Sequence, residues 1–365
     1  MKAEPLWSPS SRAINESNLT RYQHWLKQQG RVFETYEELW DWSTTDLDGF
    51  WRSILSFFNV QYSGTSQNVV TGAMPDCEWF KGISLSYAEH VFRQATDERP
   101  ALICVAENGR EEYVSWQSLR AQTASLQQWL KNQGIQPGDR IAAVLPNHAE
   151  ATISFLATNA CGAIWSCCSP DFGTASIIDR FAQIEPRILI VTAGHHYNGK
   201  YFDRLAVARE LRQQLPSVEH VVLIADSTEP GFVAWQSVIE KNTKEPVVYE
   251  RVPFEHPIWI LYSSGTTGLP KAIAHSTGGV LLEQLKYQTF HNDTKPGERF
   301  MWYTTTGWMM WNYLQGTLLC GATAVLYDGS PAYPDLSALW QLVARLRIQH
   351  FGTSAGFLLA NRKAD

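Results

Sequence analysis

The 365 residues are 44% hydrophobic and 18% charged, apolar material for two or three folded units at roughly 100–200 residues each. Fifteen Trp, 14 Tyr and 16 Phe exclude a disordered chain. Thirty-six acidic against 30 basic side chains give a net charge of −6 with no dense Lys/Arg block, so no nucleic-acid partner is predicted.

The first eighty or so residues read as helices rich in Trp. Leu19, Tyr22, Trp25 and Leu26 fall at helical spacing, and Thr35 with Glu38 forms a capping box that opens a helix carrying Leu39, Trp40 and Trp42. Phe50, Trp51, Ile54, Leu55 and Phe58 make a third apolar stripe. These aromatics are read as packing surfaces that fix the helices to a larger body. The N-terminus lacks the apolar stretch of a signal peptide. Ser63–Thr71, rich in Gly, Ser and Asn, reads as a loop.

From about residue 100, short apolar runs alternate with amphipathic helices. Residues 101–107 and 111–116 read as strands, followed by a helix to Lys131 that Gly134 and the Gln136-Pro-Gly-Asp139 turn stop. Strands over 141–146, 162–168, 187–192 and 221–225 continue the pattern, with helices from Asn147, over 176–184 and over 204–215. Nearly continuous apolar strands joined by helices predict an α/β fold whose parallel sheets are covered by helices. Residues 151–170 carry no charge and are long enough to span a bilayer. Only 12 of the 20 are apolar, however, and Gly162 and Pro170 interrupt them. This stretch reads as a buried helix, a glycine break and a buried strand, so no membrane partner is predicted. The six cysteines show no CxxC spacing and read as buried thiols of a reducing compartment, which makes the cytoplasm the expected location.

The most informative segment runs from Ile258 to Lys271, where an apolar strand enters a loop dense in hydroxyls and glycine. Gly265 and Gly268 allow backbone N–H groups to turn inward as an anion-binding nest. Ser263, Ser264, Thr266 and Thr267 add hydroxyl donors, and Lys271 adds positive charge for phosphate oxygens. A Walker A loop needs Gly before the Lys and Ser or Thr after it; here Pro270 and Ala272 stand there. Two other patterns lead nowhere. Gly352-Thr-Ser354-Ala-Gly356 matches a hydrolase nucleophile elbow, but no His follows it. His195-His196 has no companion ligands at metal spacing, so no metal site is predicted from the residues present.

The segment SSGTTGLPKAIAH resembles the signature loop of adenylate-forming enzymes: acyl-CoA synthetases, luciferases and peptide-synthetase adenylation domains. YEELWDWSTTDLDGFWRSILSFF resembles the N-terminal extension of acetyl-CoA-synthetase-type ligases. CEWFKGISLSYAEHVF, CSPDFGTASIIDRFAQIEP, HYNGKYFD, TTTGWMMWN and HFGTSA resemble the acetoacetate-activating branch. The resemblance implies a helical extension over 1–85 and an adenylate-forming large domain over 86–365. It implies ATP-dependent ligation of acetoacetate to coenzyme A through an acyl-adenylate, with Thr266, Thr267 and Lys271 acting on the leaving phosphates. Gly307, Trp308, Met309, Met310 and Trp311 would line the acid pocket, where Met and Trp supply apolar shape without competing charge. Coenzyme A would meet Ser169-Pro170-Asp171 and Asn198-Gly199-Lys200, although the acetyl-CoA synthetases carry Phe-Gly-Gly at the first of these.

Other family segments have no match here: a Tyr-Gly-x-Thr-Glu whose Glu binds Mg²⁺, a Thr-Gly-Asp for ribose, a hinge, and a small domain with a catalytic lysine. The large domain is therefore expected to be incomplete, the N-terminal part of a longer enzyme and inactive by itself. An unfinished sheet would leave an open edge that favours self-association. The competing readings are a ligase for acetate or propionate, and a non-catalytic remnant that binds nucleotide weakly.

Overall fold

A computed structural model of the chain describes residues 7–239, 246–263 and 268–364. Its N-terminal part is helical over Ser11–Asn15, Asn18–Gln28, Tyr36–Thr45 and Leu47–Phe57. The Thr35–Glu38 capping box is formed in both directions, and Asp46 caps the helix that follows by accepting from the Gly49 N–H. Tyr22, Leu26, Leu39, Phe50 and Ile54 are buried, each on the apolar stripe of its helix. Tyr22 stacks on Phe290 at 4.6 Å and meets Phe57 edge-on at 5.0 Å, so the first stripe attaches its helix to the body, whereas Trp40 of the second stripe is exposed, contrary to expectation. Ser63–Thr71 begins and ends in two-residue antiparallel pairings, Ser63–Gly64 with Ile83–Ser84 and Val70–Thr71 with Glu78–Trp79. Backbone ladders this short leave no side-chain pattern in a sequence.

The large sheet has seven strands in the order Val233–Ala234, His220–Ile224, Ile188–Thr192, Arg140–Val144, Ile164–Cys168, Pro257–Tyr262 and Ala272–Ser276. All neighbours are parallel except the final hairpin. Its inner strands Arg140–Val144, Ile164–Cys168 and Ile188–Thr192 are apolar on both faces because helices cover both. Ala142 and Val144 pack with Ile177, Phe181 and Leu211 of helices Thr174–Phe181 and Leu205–Gln214. Ile141 and Ala143, pointing the other way, join the core that holds Leu126 and Phe155 of helices Trp116–Asn132 and Ala149–Ala160. Every residue of Ala149–Ala160 except Glu150 is buried, as a helix apolar all round must be. Gly162 follows at φ +69°, and Ile164–Cys168 is wholly buried. The uncharged stretch 151–170 is thus core, and among the described residues no helix is long and apolar enough to cross a membrane.

The early strands do not join this sheet. Pro100–Ala106 pairs with Thr323–Asp328 in a second sheet of five strands, which continues through Arg299–Trp302 to His350–Gly352. Glu111–Ser115 forms its antiparallel edge, and only Val114 of that strand is buried.

Candidate active site at the strand ends

Parallel α/β sheets bind ligands beyond the carboxyl ends of their strands. A cavity of about 370 Å³ lies there, between the two sheets. Asn147 enters it after Arg140–Val144, Ser169–Asp171 after Ile164–Cys168, Thr304 and Thr305 after Arg299–Trp302, and Asp328 at the end of its own strand. His195 and Arg204 enter from the hairpin after Ile188–Thr192.

Segment 304–311 closes one side. Thr306 Oγ1 donates to the Leu145 carbonyl at 2.6 Å, tying this segment to the end of a large-sheet strand. A Cβ on Gly307 would lie 3.2 Å from Ser169 N, so the missing side chain allows the two segments to approach closely. Trp308 is 64% exposed and Met309 46%, whereas Trp311 is fully buried against Phe155 and Trp165. Trp311 reaches the cavity only indirectly. Its Nε1 donates to Asn147 Oδ1 at 3.0 Å, while Asn147 Nδ2 donates to the Tyr327 carbonyl at 3.3 Å.

Among the described residues, His195 Nδ1, Arg204 Nε and Thr305 Oγ1, all buried around this cavity, find no hydrogen-bond partner. Burial, then the Arg204 charge, lowers the His195 pKa against the pull of Asp328 and Asp171, which leaves a neutral ring beside a cation. Asp328 also faces His148 Nε2 at 3.4 Å. Burial opposes protonation of His148, but the hydrogen bond and charge of Asp328 outweigh it and raise the His148 pKa.

Strands Gly194–Tyr197 and Lys200–Asp203 form an antiparallel hairpin with Asn198 and Gly199 at its tip, at φ +52° and +72°. These two N–H groups donate to Glu107 Oε2 and Oε1, each at 2.8 Å, and Ser330 N adds a third donor at 3.1 Å. The tip amides are therefore already occupied by a carboxylate, while Lys200 is exposed. Ser169 and Pro170 are buried and Asp171 is exposed beside them.

The hydroxyl-rich loop connects the hairpin at the edge of the large sheet. Ser263 N donates to the Lys271 carbonyl at 3.1 Å and closes the loop base. Tyr262 donates to the Arg180 carbonyl at 2.9 Å, and Gln183 Nε2 donates to the Pro270 carbonyl at 2.9 Å, fixing both ends beside helix Thr174–Phe181. Gly268 has φ +126°, a conformation that favours glycine. Lys271 is exposed and makes no ion pair among the described residues. Ser264, Gly265, Thr266 and Thr267 lie outside the described residues.

The sequence singles out residues 169–171, 198–200, 263–271 and 307–311 as site candidates. That selection weighs His195 only as a metal ligand and misses Arg204, Thr305, Asp328 and Glu107. A readable signal exists for some of them: polar residues immediately after an apolar strand. Ser354 accepts from Phe357 N at the start of helix Ala355–Ala364, so the GxSxG match is a helix cap. Of the six free cysteines, Cys104, Cys161, Cys167 and Cys168 are buried, but Cys77 and Cys320 are half-exposed, contrary to expectation. Burial pushes the Cys161 and Cys167 thiols up to about 12, which leaves them protonated and poorly nucleophilic. Among the described residues no group of three His, Cys, Asp or Glu side chains is placed to hold a metal.

The two-sheet body with its strand-end cavity has the architecture of the adenylate-forming large domain. The chain belongs to the AMP-binding enzyme family, whose model matches residues 89–360; the acetyl-coenzyme A synthetase N-terminus model matches residues 36–91. The chain is 41% identical to acetoacetyl-coenzyme A synthetase of Rhizobium meliloti (strain 1021), over 100% of this chain and 57% of that protein. It is 36% identical to acetoacetyl-CoA synthetase of Mus musculus, over 100% of this chain and 56% of that protein. The solved structure of acetoacetyl-CoA synthetase from Streptomyces lividans superposes with a TM-score of 0.95 at 44% identity, covering 99% of this chain and 57% of that one. The chain thus spans a little over half the length of these relatives.

Proposed function

We propose that this chain supplies the phosphate loop and the acid and thiol sites of an AMP-forming acid–thiol ligase, and that its acid is acetoacetate. The observation that carries the reading is the strand-end cavity, where segments 169–171 and 304–307 meet beside neutral His195 and Arg204, whose Nε has no partner among the described residues. The names of the relatives support acetoacetate as the acid.

In the first half-reaction a carboxylate oxygen bonds to the α-phosphorus of ATP and pyrophosphate leaves. In the second, the sulfur of coenzyme A attacks the acyl carbonyl, AMP leaves and the thiol proton passes to solvent. Both steps gain from positioning and from donors aimed at developing charge. In this reading the Ser263–Lys271 loop, with Thr266 and Thr267, holds the leaving phosphates. Trp308, Met309 and Met310 border the acid, with Trp311 supporting them through Asn147. Ser169–Asp171, His195, Arg204 and Lys200 face coenzyme A, and the Glu107 carboxylate, which occupies the Asn198 and Gly199 amides, holds the hairpin. The family implies Mg²⁺, but the described residues offer no three-ligand group for it, and no step here is routed through the metal.

The division at residues 85/86, a cytoplasmic location and self-association belong to the same reading. For self-association the supporting features are the edge strand His350–Gly352 and the exposed Leu358 and Leu359. Sedimentation over a concentration series tests it; a monomer throughout would remove it.

The activity test follows AMP and thioester with ATP, Mg²⁺ and coenzyme A. It uses the chain alone and the chain fused to the part of the Streptomyces lividans enzyme that it does not match. Thioester is expected from the fusion, with acetoacetate preferred over acetate by the roughly 10–200-fold that small differences in an apolar pocket supply. Equal or better use of acetate overturns the acid assignment, and no adenylation of any short acid by a folded fusion overturns the ligase. Thr267→Ala and Lys271→Ala are each expected to slow pyrophosphate release by about 10²–10³ in single turnover. Near-wild-type rates in both variants would make the loop structural.

A further inference from the structure

A second cavity, of about 220 Å³, lies between the N-terminal helices and the body. Arg21 of helix Asn18–Gln28 borders one side, and His90, Arg93 and Gln94 at the end of helix Tyr87–Phe92 border another. Thr294 and Cys320 also line it. We propose that this cavity binds a small dianionic oxyanion of the inorganic phosphate class. The inference is independent of the ligase reading.

The charge balance points to an anion. No Asp or Glu lines the cavity among the described residues. Arg21 makes no ion pair among the described residues; its guanidinium lies 5.6 Å from the Phe57 ring, and its charge is felt at the Cys320 thiol. Arg93 donates one N–H to the Asn59 carbonyl at 2.8 Å and meets no carboxylate. The neighbouring Asp293 is already committed to Asn18 N at 2.7 Å and Lys295 Nζ at 3.1 Å. His90 adds no charge at neutral pH, because its Nε2 accepts from the Gln61 N–H at 2.8 Å. Two guanidiniums at the solvent-exposed rim thus meet no carboxylate among the described residues, and arginine forks suit tetrahedral oxyanions.

Thr294 provides an independent sign. It is 2% exposed, and its Oγ1 has no hydrogen-bond partner among the described residues. Buried hydroxyls are ordinarily paired, and a bound oxygen would pair this one after rotation about χ1. The volume admits one tetrahedral ion with water and falls short of the usual 300–1,000 Å³ of larger ligand pockets. An ion here would join the helical extension to the body.

The test is calorimetry of the intact chain with inorganic phosphate at constant ionic strength, with acetate and chloride as separate arms. Saturable phosphate binding is expected, with acetate at least tenfold weaker and chloride silent. Arg21→Ala and Arg93→Ala should each weaken phosphate binding at least tenfold, and Thr294→Val should weaken it measurably. Arg21→Lys, which keeps the charge but loses the fork, should fall between wild type and Arg21→Ala and serves if an alanine variant fails to fold. Lys271→Ala removes the cation of the other phosphate-competent segment and should leave binding intact. Absence of binding, binding unchanged in Arg21→Ala and Arg93→Ala, or loss of binding in Lys271→Ala would overturn the proposal.

Discussion

Single residues show how burial sets the chemistry. His90 is 3% exposed, with Nδ1 2.6 Å from the Ser86 carbonyl and Nε2 accepting from the Gln61 N–H. An N–H can only donate, so Nε2 must be bare and Nδ1 must carry the proton. Burial lowers the His90 pKa, and the Arg93 and Arg251 charges add to this against the Ser86 hydrogen bond and Glu89. The unfolded chain therefore takes up this proton first. The stability contributed by neutral His90 is full above the unfolded value of about 6.5 and is lost as pH falls below it. His148 has the opposite sign: its raised pKa gives a contribution present at low pH and lost as pH rises. Urea unfolding of wild type between pH 5 and 7.5 should show stability rising with pH. In His90→Gln that slope should be shallower by up to the one-proton limit of about 1.4 kcal/mol per pH unit. An unchanged slope would show that His90 titrates alike in both states.

At the scale of elements, Glu107 is the clearest case. One carboxylate at the end of Pro100–Ala106 accepts from three backbone N–H groups on two different loops. It thereby connects the second sheet to a hairpin that follows a strand of the large sheet. Removing it strands the buried Ser330 N–H, worth about 1–3 kcal/mol when left unpaired, and releases the two part-buried donors at the tip. Glu107→Ala should lower unfolding stability by at least that amount and speed amide exchange at Asn198 and Gly199. Glu107→Gln, which keeps one acceptor oxygen, should lose less. Normal exchange at the tip in Glu107→Ala would mean that the hairpin holds its shape unaided. The base of loop 263–271 is fixed on a similar principle, by Tyr262 and Gln183.

At the scale of the molecule, one apolar core runs from Tyr22 and Ile54 through Phe155 and Trp165 to Leu318 and Leu326, so the N-terminal helices and both sheets share it. Tyr22→Ala should cost about 3–5 kcal/mol, as large-to-small changes of buried aromatics do. That loss should appear in the unfolding of the whole molecule, with tryptophan fluorescence and far-ultraviolet circular dichroism shifting together. A separate early transition confined to the helices would show that the extension is merely attached. Much of this architecture was legible beforehand. The Thr35 capping box, the stripe through Ile54 and the apolar strands from Arg140 to Ile224 are patterns of near neighbours, and helix and strand periodicity is written in near neighbours. The hydroxyl-rich loop also stands out by near neighbours, its glycines, hydroxyls and lysine within a few residues, and its phosphate role belongs to the proposed function. Other features depended on contacts between distant parts of the chain. Only the tertiary structure sent Pro100–Ala106 to pair with Thr323–Asp328, buried Trp311 while exposing Trp308 three residues away, and brought Arg204, His195 and Asp328 around one cavity. Local pattern specifies which face of an element is apolar; what that face meets depends on how the whole chain closes around its core.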